Sequence, residues 1–253
     1  MKKLTVVALA ILTAGAAAVA QQSPLTLWYD KPAVLWTDAL PVGNGHMGAM
    51  IFGGATHERI QFNEHTVWTG EPHDYAHKGA AQSLAKIREL LWAGKQKEAE
   101  DLAMKEFMSE PIRQRAYQAL GDLIIETPGA ENPTNYKRSL DLDTGIASTE
   151  FTANGVTYRR EVFASHPANA VIVHLTFSKL TPFRATLTCA HTNCKSGTTM
   201  SGKVEDSAIR FDARFQIGGA TYSESRDTFA TVPVMAAVRL GVLMFPPPDP
   251  GGT

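Results

Sequence analysis

The sequence predicts a mainly β fold, an antiparallel β-sandwich with an inserted helical hairpin, and three observations carry that expectation. Most of the chain after residue 20 divides into short apolar runs separated by Gly, Pro, Asn and Asp, as strands joined by turns do. Asn154-Gly155 stands between Phe151-Thr152-Ala153 and Val156-Thr157-Tyr158. It is a strong hairpin signal, because a two-residue type I′ turn needs positive φ at both centres. Only the stretch at about 78–108 changes to a helical period.

The elements follow in order. Residues 1–20 read as a signal peptide: Lys2 and Lys3, an apolar core from Leu4 to Leu12, then Ala18-Val19-Ala20 as a small-x-small cleavage site. The expected product starts at Gln21 and is exported, to the periplasm or the medium. Trp28 to Phe52 reads as short strands broken at Pro41 and at Gly43-Asn44-Gly45. From Ile60 to Trp68 the pattern alternates, with Ile60, Phe62 and Glu64 on one side and Gln61, Asn63 and His65 on the other. Leu84, Ile87 and Leu91 then mark one helical face, Gly94 interrupts, and Ala99, Leu102, Ala103 and Phe107 mark a second.

Strand signals return at Leu120–Thr127, which closes at Pro128-Gly129. Leu140 and Leu142 read as inward positions between Asp141 and Asp143, and Ala170–Phe177 and Ala185–Ala190 read as further strands. After about Gly218 the pattern deteriorates: Val232–Phe245 is apolar without clear alternation or an amphipathic face. The last residues, Pro246 to Thr253, are rich in Pro and Gly, which suits a linker or a truncated or frame-shifted reading. The expected organisation is a signal peptide at 1–20, a β-sandwich at 21–217 and an atypical tail at 218–253.

Composition excludes several function classes. With 24 basic and 25 acidic residues in 253, the formal net charge is −1, without the basic excess of a nucleic-acid binder. No run of about 18 apolar residues follows residue 20, so no membrane span is expected. Two cysteines, Cys189 and Cys194, are too few for a disulfide scaffold or a four-ligand zinc site. An oxidising compartment permits a bridge between them, and two buried thiols are the alternative.

No catalytic set emerges from spacing alone. Gly43 to Gly48 matches G-x-G-x-x-G, but without the strand and helix that a dinucleotide site needs, so it reads as a turn between strands. His46, His57, His65, His73 and His77 gather near Glu64, Glu71 and Asp74. No zinc signature joins them, so they read as scattered loop histidines and no metal is expected. Asp141 and Asp143 are a tempting carboxylate pair for glycoside hydrolysis, yet their i, i+2 spacing puts them on a solvated sheet face. No G-x-S-x-G elbow occurs. Trp28, Trp36, Trp68 and Tyr75 suit a glycan contact zone or, in the commoner use of such rings, the filling of a core or a seam between domains.

Five ordered blocks add a resemblance: Trp36–Met50, Glu58–Pro72, Tyr117–Leu123, Tyr136–Thr144 and Tyr158–Ser165. Together they resemble the N-terminal domain of glycoside hydrolase family 95, the α-L-fucosidases, over roughly Leu25 to Phe215. The resemblance implies a twisted β-sandwich that precedes a helical barrel. It also implies inverting hydrolysis of terminal α-linked fucose on oligosaccharides, without a metal or organic cofactor. The family's catalytic groups lie in the barrel, so no catalytic residue carries over and the chain is expected to be inactive alone, with that barrel as its missing partner. Asn44, His46, Asn63, Glu64 and Trp68 match the family's N-terminal motifs, as candidates for substrate contact or for the seam against the barrel. A stand-alone carbohydrate-binding module and a disaccharide phosphorylase of the same layout are the rival readings.

Overall fold

The computed structural model describes residues 25–190, 194–195, 198–222, 229–231 and 235–245. The signal-like segment at 1–20 and the Pro/Gly-rich end at 246–253 lie outside the described residues. The strands are β1 (Thr26–Tyr29), β2 (Leu40–Gly43), β3 (Met47–Ile51) and β4 (His57–Glu64), followed by helices α1 (Ala80–Trp92) and α2 (Gln96–Glu106). Then come β5 (Gly121–Glu126), β6 (Thr134–Asp141), β7 (Ile146–Ala153), β8 (Val156–Ser165), β9 (Ala170–Phe177) and β10 (Pro182–Cys189). The series ends with β11 (Cys194–Lys195), β12 (Thr199–Lys203), β13 (Arg210–Gly218), β14 (Ala220–Tyr222), β15 (Phe229–Thr231) and β16 (Met235–Phe245).

These strands form two sheets, and the paired strands are antiparallel. One runs β1-β6-β7-β8-β9-β16-β13-β12-β11 and the other β14-β15-β10-β5-β4-β3-β2. Alternation decides which side of each strand is buried. In β4, Glu58, Ile60, Phe62 and Glu64 face inward while Arg59, Gln61 and Asn63 face out. Phe183, Leu187, Leu123 and Ile125 extend that inner layer, and Phe151, Val162, Val173, Leu175 and Phe211 oppose it from the larger sheet. An aromatic chain runs through the core: Phe151 stacks on Tyr158 at 4.7 Å, and Phe177 lies 5.6 Å from Tyr158 and 6.4 Å from Phe183.

The Asn154-Gly155 turn joins β7 to β8 with φ of 48° and 70°, and Ala153 pairs with Val156. The helical hairpin is present, but its inner face is narrow. Ile87 is the buried residue of α1 and Ala99 that of α2, whereas Leu91 is exposed rather than inward. Two readings of β6 also change. It ends at Asp141, and Leu142 is exposed because a turn starts there. Asp141 Oδ1 accepts hydrogen bonds from the N–H groups of Asp143 and Thr144, so this carboxylate builds the turn rather than lining a sheet face.

The apolar stretch before Phe245, expected to lack strand character, holds β16. This strand pairs with β9 on one side and β13 on the other. Val238, Leu240 and Val242 are buried while Ala237 and Arg239 are exposed. The alternation was therefore present over five residues, masked by apolar neighbours on either side. Cys189, at the end of β10, is disulfide-bonded.

A polar knot crosses the core where the β3–β4 turn meets β6 and β8. Glu58 forms an ion pair with Arg160, and both are almost wholly buried. Glu58 Oε1 also accepts the Gly53 N–H at 2.9 Å, and Arg160 donates to the Gly54 carbonyl. Burial pushes the Glu58 carboxyl above the ordinary glutamate range, and the Arg160 guanidinium and the Gly53 N–H pull against that rise. Tyr136 donates its hydroxyl to the Gly53 carbonyl at 2.5 Å, and its own proton is held more tightly than usual, mainly by burial. At Gly54 a Cβ would run into the His57 carbonyl oxygen, so only glycine lets the turn close on the knot.

Candidate functional site

The five candidate residues come together at one end of the sandwich. β2 and β3 are joined by the turn Asn44–His46, and this turn is built by a side chain. Asn44 Oδ1 accepts the N–H groups of His46 at 3.0 Å and Met47 at 2.8 Å. Its Nδ2 donates to the Ser165 carbonyl at 2.9 Å, tying the turn to the end of β8 in the opposite sheet. Gly45 supplies the positive φ, 91°, that the turn requires.

Register then decides which side chains meet. Met47 pairs with Glu64 and Gly48 with Asn63, and the His65 N–H donates to the His46 carbonyl at 2.9 Å, extending the ladder past the strand end. His46 and His65 are thus opposite each other across two strands, and their rings meet edge to face at 5.0 Å. His166, on the β8–β9 turn, lies 5.9 Å from His46 on the centroid measure.

Glu64 sits at an inward position of β4 and is buried, so its carboxylate needs partners. Thr66 provides two to Oε2, its N–H at 2.8 Å and its hydroxyl at 2.5 Å. Oε1 faces His65, whose Nδ1 is 2.6 Å away. One ligand atom from each of His46, Glu64 and His65 lies within 4.8 Å of the others, the one such group among the described residues. Asn63 points outward: Nδ2 donates to the Gln118 carbonyl at 2.8 Å and Oδ1 accepts the Glu64 N–H.

Trp68 pairs across an isolated bridge with Tyr117, the rings 5.0 Å apart. The indole N–H donates to the His65 carbonyl at 3.0 Å, and the Tyr117 hydroxyl donates to the Glu64 carbonyl at 2.8 Å. Desolvation and the nearby Glu64 charge raise the Tyr117 pKa. Tyr117 also borders a cleft of about 430 Å³ with Trp36, Met50, Gln61 and Asn63, on the outer face of β2–β4.

The reading of large aromatics as core fillers fails for three of the four. Trp28 is 55% exposed, Trp36 56% and Trp68 47%. Scattered histidines also fail as an account of His46 and His65, which converge with Glu64. It holds for His73 and His77, which bond the backbone carbonyls of Glu110 and Met108, whereas His57 is no loop residue but the exposed first residue of β4. His166, Thr66 and Tyr117 belong to the same end and were not singled out. Thr66 and Tyr117 lie inside matched blocks and His166 just after one, but nothing local marks the roles of Tyr117 and His166, whose contacts reach 53 positions from Glu64 and across to the larger sheet.

In comparison with known proteins, residues 27–242 match the family described as "Glycosyl hydrolase family 65, N-terminal domain". The chain is 38% identical over 159 residues to "Alpha-L-fucosidase 2" of Arabidopsis thaliana, covering 62% of this chain and 18% of that protein. It is 28% identical over 167 residues to "Probable alpha-fucosidase A" of Aspergillus niger, covering 62% of this chain and 20% of that one. The chain thus spans about a fifth of the length of the curated relatives it matches. Among solved structures it overlays on "Putative kojibiose phosphorylase from human microbiome" with a TM-score of 0.42 at 9% identity, over 89% of this chain and 33% of that one.

Proposed function

The chain belongs to the glycosyl hydrolase family 65 N-terminal domain family, in a fucosidase-like form, and from that premise we propose that it braces the catalytic part of an α-L-fucosidase without doing chemistry itself. The whole enzyme removes terminal α-linked fucose from oligosaccharides with inversion, using an acid and a base held in a helical barrel. The observation that supports a bracing role is the state of Glu64. It is the one carboxylate of the cluster, and both of its oxygens are already committed, to Thr66 and to His65. An inverting site needs a second carboxyl group at about 6.5–9.5 Å with room for water between them. The exposed rings of Trp36, Trp68 and Tyr117 at the same end suit a seam that a neighbouring domain covers.

Fucose release from 2′-fucosyllactose by the purified chain tests the reading. No release is expected, and turnover by this chain alone overturns it. A second reading, a glycan-binding module, rests on the same exposed aromatics, since sugar C–H faces stack on such rings. Calorimetry against fucosylated glycans separates the two: a brace gives no heat and a module does. Export from the cytoplasm belongs to the proposal too, supported by the signal-like start and by the disulfide at Cys189. An N-terminus at Gln21 in protein recovered from the medium or periplasm of a bacterial host is the expected outcome.

A further inference from the structure

We propose that His46, Glu64 and His65, joined by His166 from the β8–β9 turn of the larger sheet, form a zinc site that clips the two sheets together at this end. The first three donors are two imidazoles and one carboxylate, ligands that zinc accepts with a fourth position left for water or another side chain. Their ligand atoms already lie within 4.8 Å of one another. Zinc bonds of about 2.0–2.1 Å place tetrahedral ligands roughly 3.3 Å apart, so rotation of the exposed His46 and His65 rings closes the set. The backbone of both is fixed by the ladder between His46 and His65, and the register itself is what points the rings at one another.

The carboxylate is prepared for such a role. Thr66 takes Oε2 with two hydrogen bonds, which turns Oε1 toward the imidazoles. Outer partners of this kind orient metal ligands and raise affinity. His166 stands beside His46 and is the candidate fourth donor. It lies on the β8–β9 turn of the larger sheet, next to Ser165, whose carbonyl already holds Asn44. An ion bound by His46, Glu64, His65 and His166 thus joins turns from both sheets, as the Asn44 bond does with less strength. This role is structural and does not depend on the proposed fucosidase activity.

The test uses the full chain, stripped with a chelator and titrated with zinc chloride at pH 7.5 while heat and zinc content are followed. One zinc per chain is expected, with a rise in melting temperature that is lost on chelation. His46→Gln and His65→Gln, both exposed positions, each weaken binding at least tenfold, and Thr66→Ala weakens it by about 10–100-fold as an outer partner. His57→Gln, at the opposite end of β4, leaves binding unchanged. Cobalt substitution gives the visible absorption of a tetrahedral site in the parent and not in His46→Gln. No zinc uptake overturns the proposal, as does uptake that survives both exposed substitutions or a loss shared equally by His57→Gln.

Discussion

Glu58 and Arg160 are the residues on which the interior is most exposed to a single change. Replacing Arg160 with Met leaves a buried carboxylate without its charge partner, a loss of about 3–5 kcal/mol. Urea unfolding of R160M measures it. The double variant E58Q/R160M removes both charges and is expected to recover part of the loss, so the two substitutions are not additive. A more exposed cluster contributes to the acid limb of stability. Arg159, and then His174, hold the Glu161 carboxyl below its ordinary range. A folded pKa below the unfolded one means that this contribution is present above the ordinary glutamate value and fades as pH falls through the lowered one. Melting curves between pH 6 and 3 are therefore expected to show E161Q losing less stability on acidification than the parent, by under about 1 kcal/mol for a partly solvated pair. At this scale the sequence was only half legible. Glu64 could be placed on the inward face from the alternation of Ile60 and Phe62, but nothing local tells Glu58 from a surface glutamate, because its partner is 102 positions away.

Strands whose two faces differ could be read directly. β9 runs from Ala170 to Phe177 as its alternation predicts, and β7–β8 turn at Asn154-Gly155. β16 was missed because it lies between two neighbours and reads as nearly continuous apolar sequence, which periodicity alone cannot assign. Leu91 was misplaced for a related reason: apolar spacing gives a helical face but not what the face meets. The two helices bury little beyond Ile87 and Ala99, and Trp92 is 80% exposed. With so few buried contacts the pair is expected to open independently of the sheets. Hydrogen exchange should show amides of α1 and α2 exchanging well before those of β8 and β9; equal protection would show that the hairpin and the sandwich unfold together.

For the molecule as a whole, the candidate residues converge because strand pairing brings the β2–β3 turn, the end of β4 and the β8–β9 turn to one pole. That convergence is a property of register, and the motifs alone named its members without their geometry. Cutting the chain before Met235 is expected to abolish cooperative unfolding and leave a species that binds hydrophobic dyes, because the larger sheet is split and its core rows are uncovered. A sharp transition in that truncated chain would show that the sheet tolerates the gap. The position of β16 also bears on how such a protein is made. A ribosome delivers β9 and β13 before the strand that lies between them, so until β16 emerges both present raw hydrogen-bonding edges with nothing to fill the slot. Until that strand threads in, the nascent polypeptide is vulnerable to strand donation from its neighbours, and a holding chaperone would have its work at that gap.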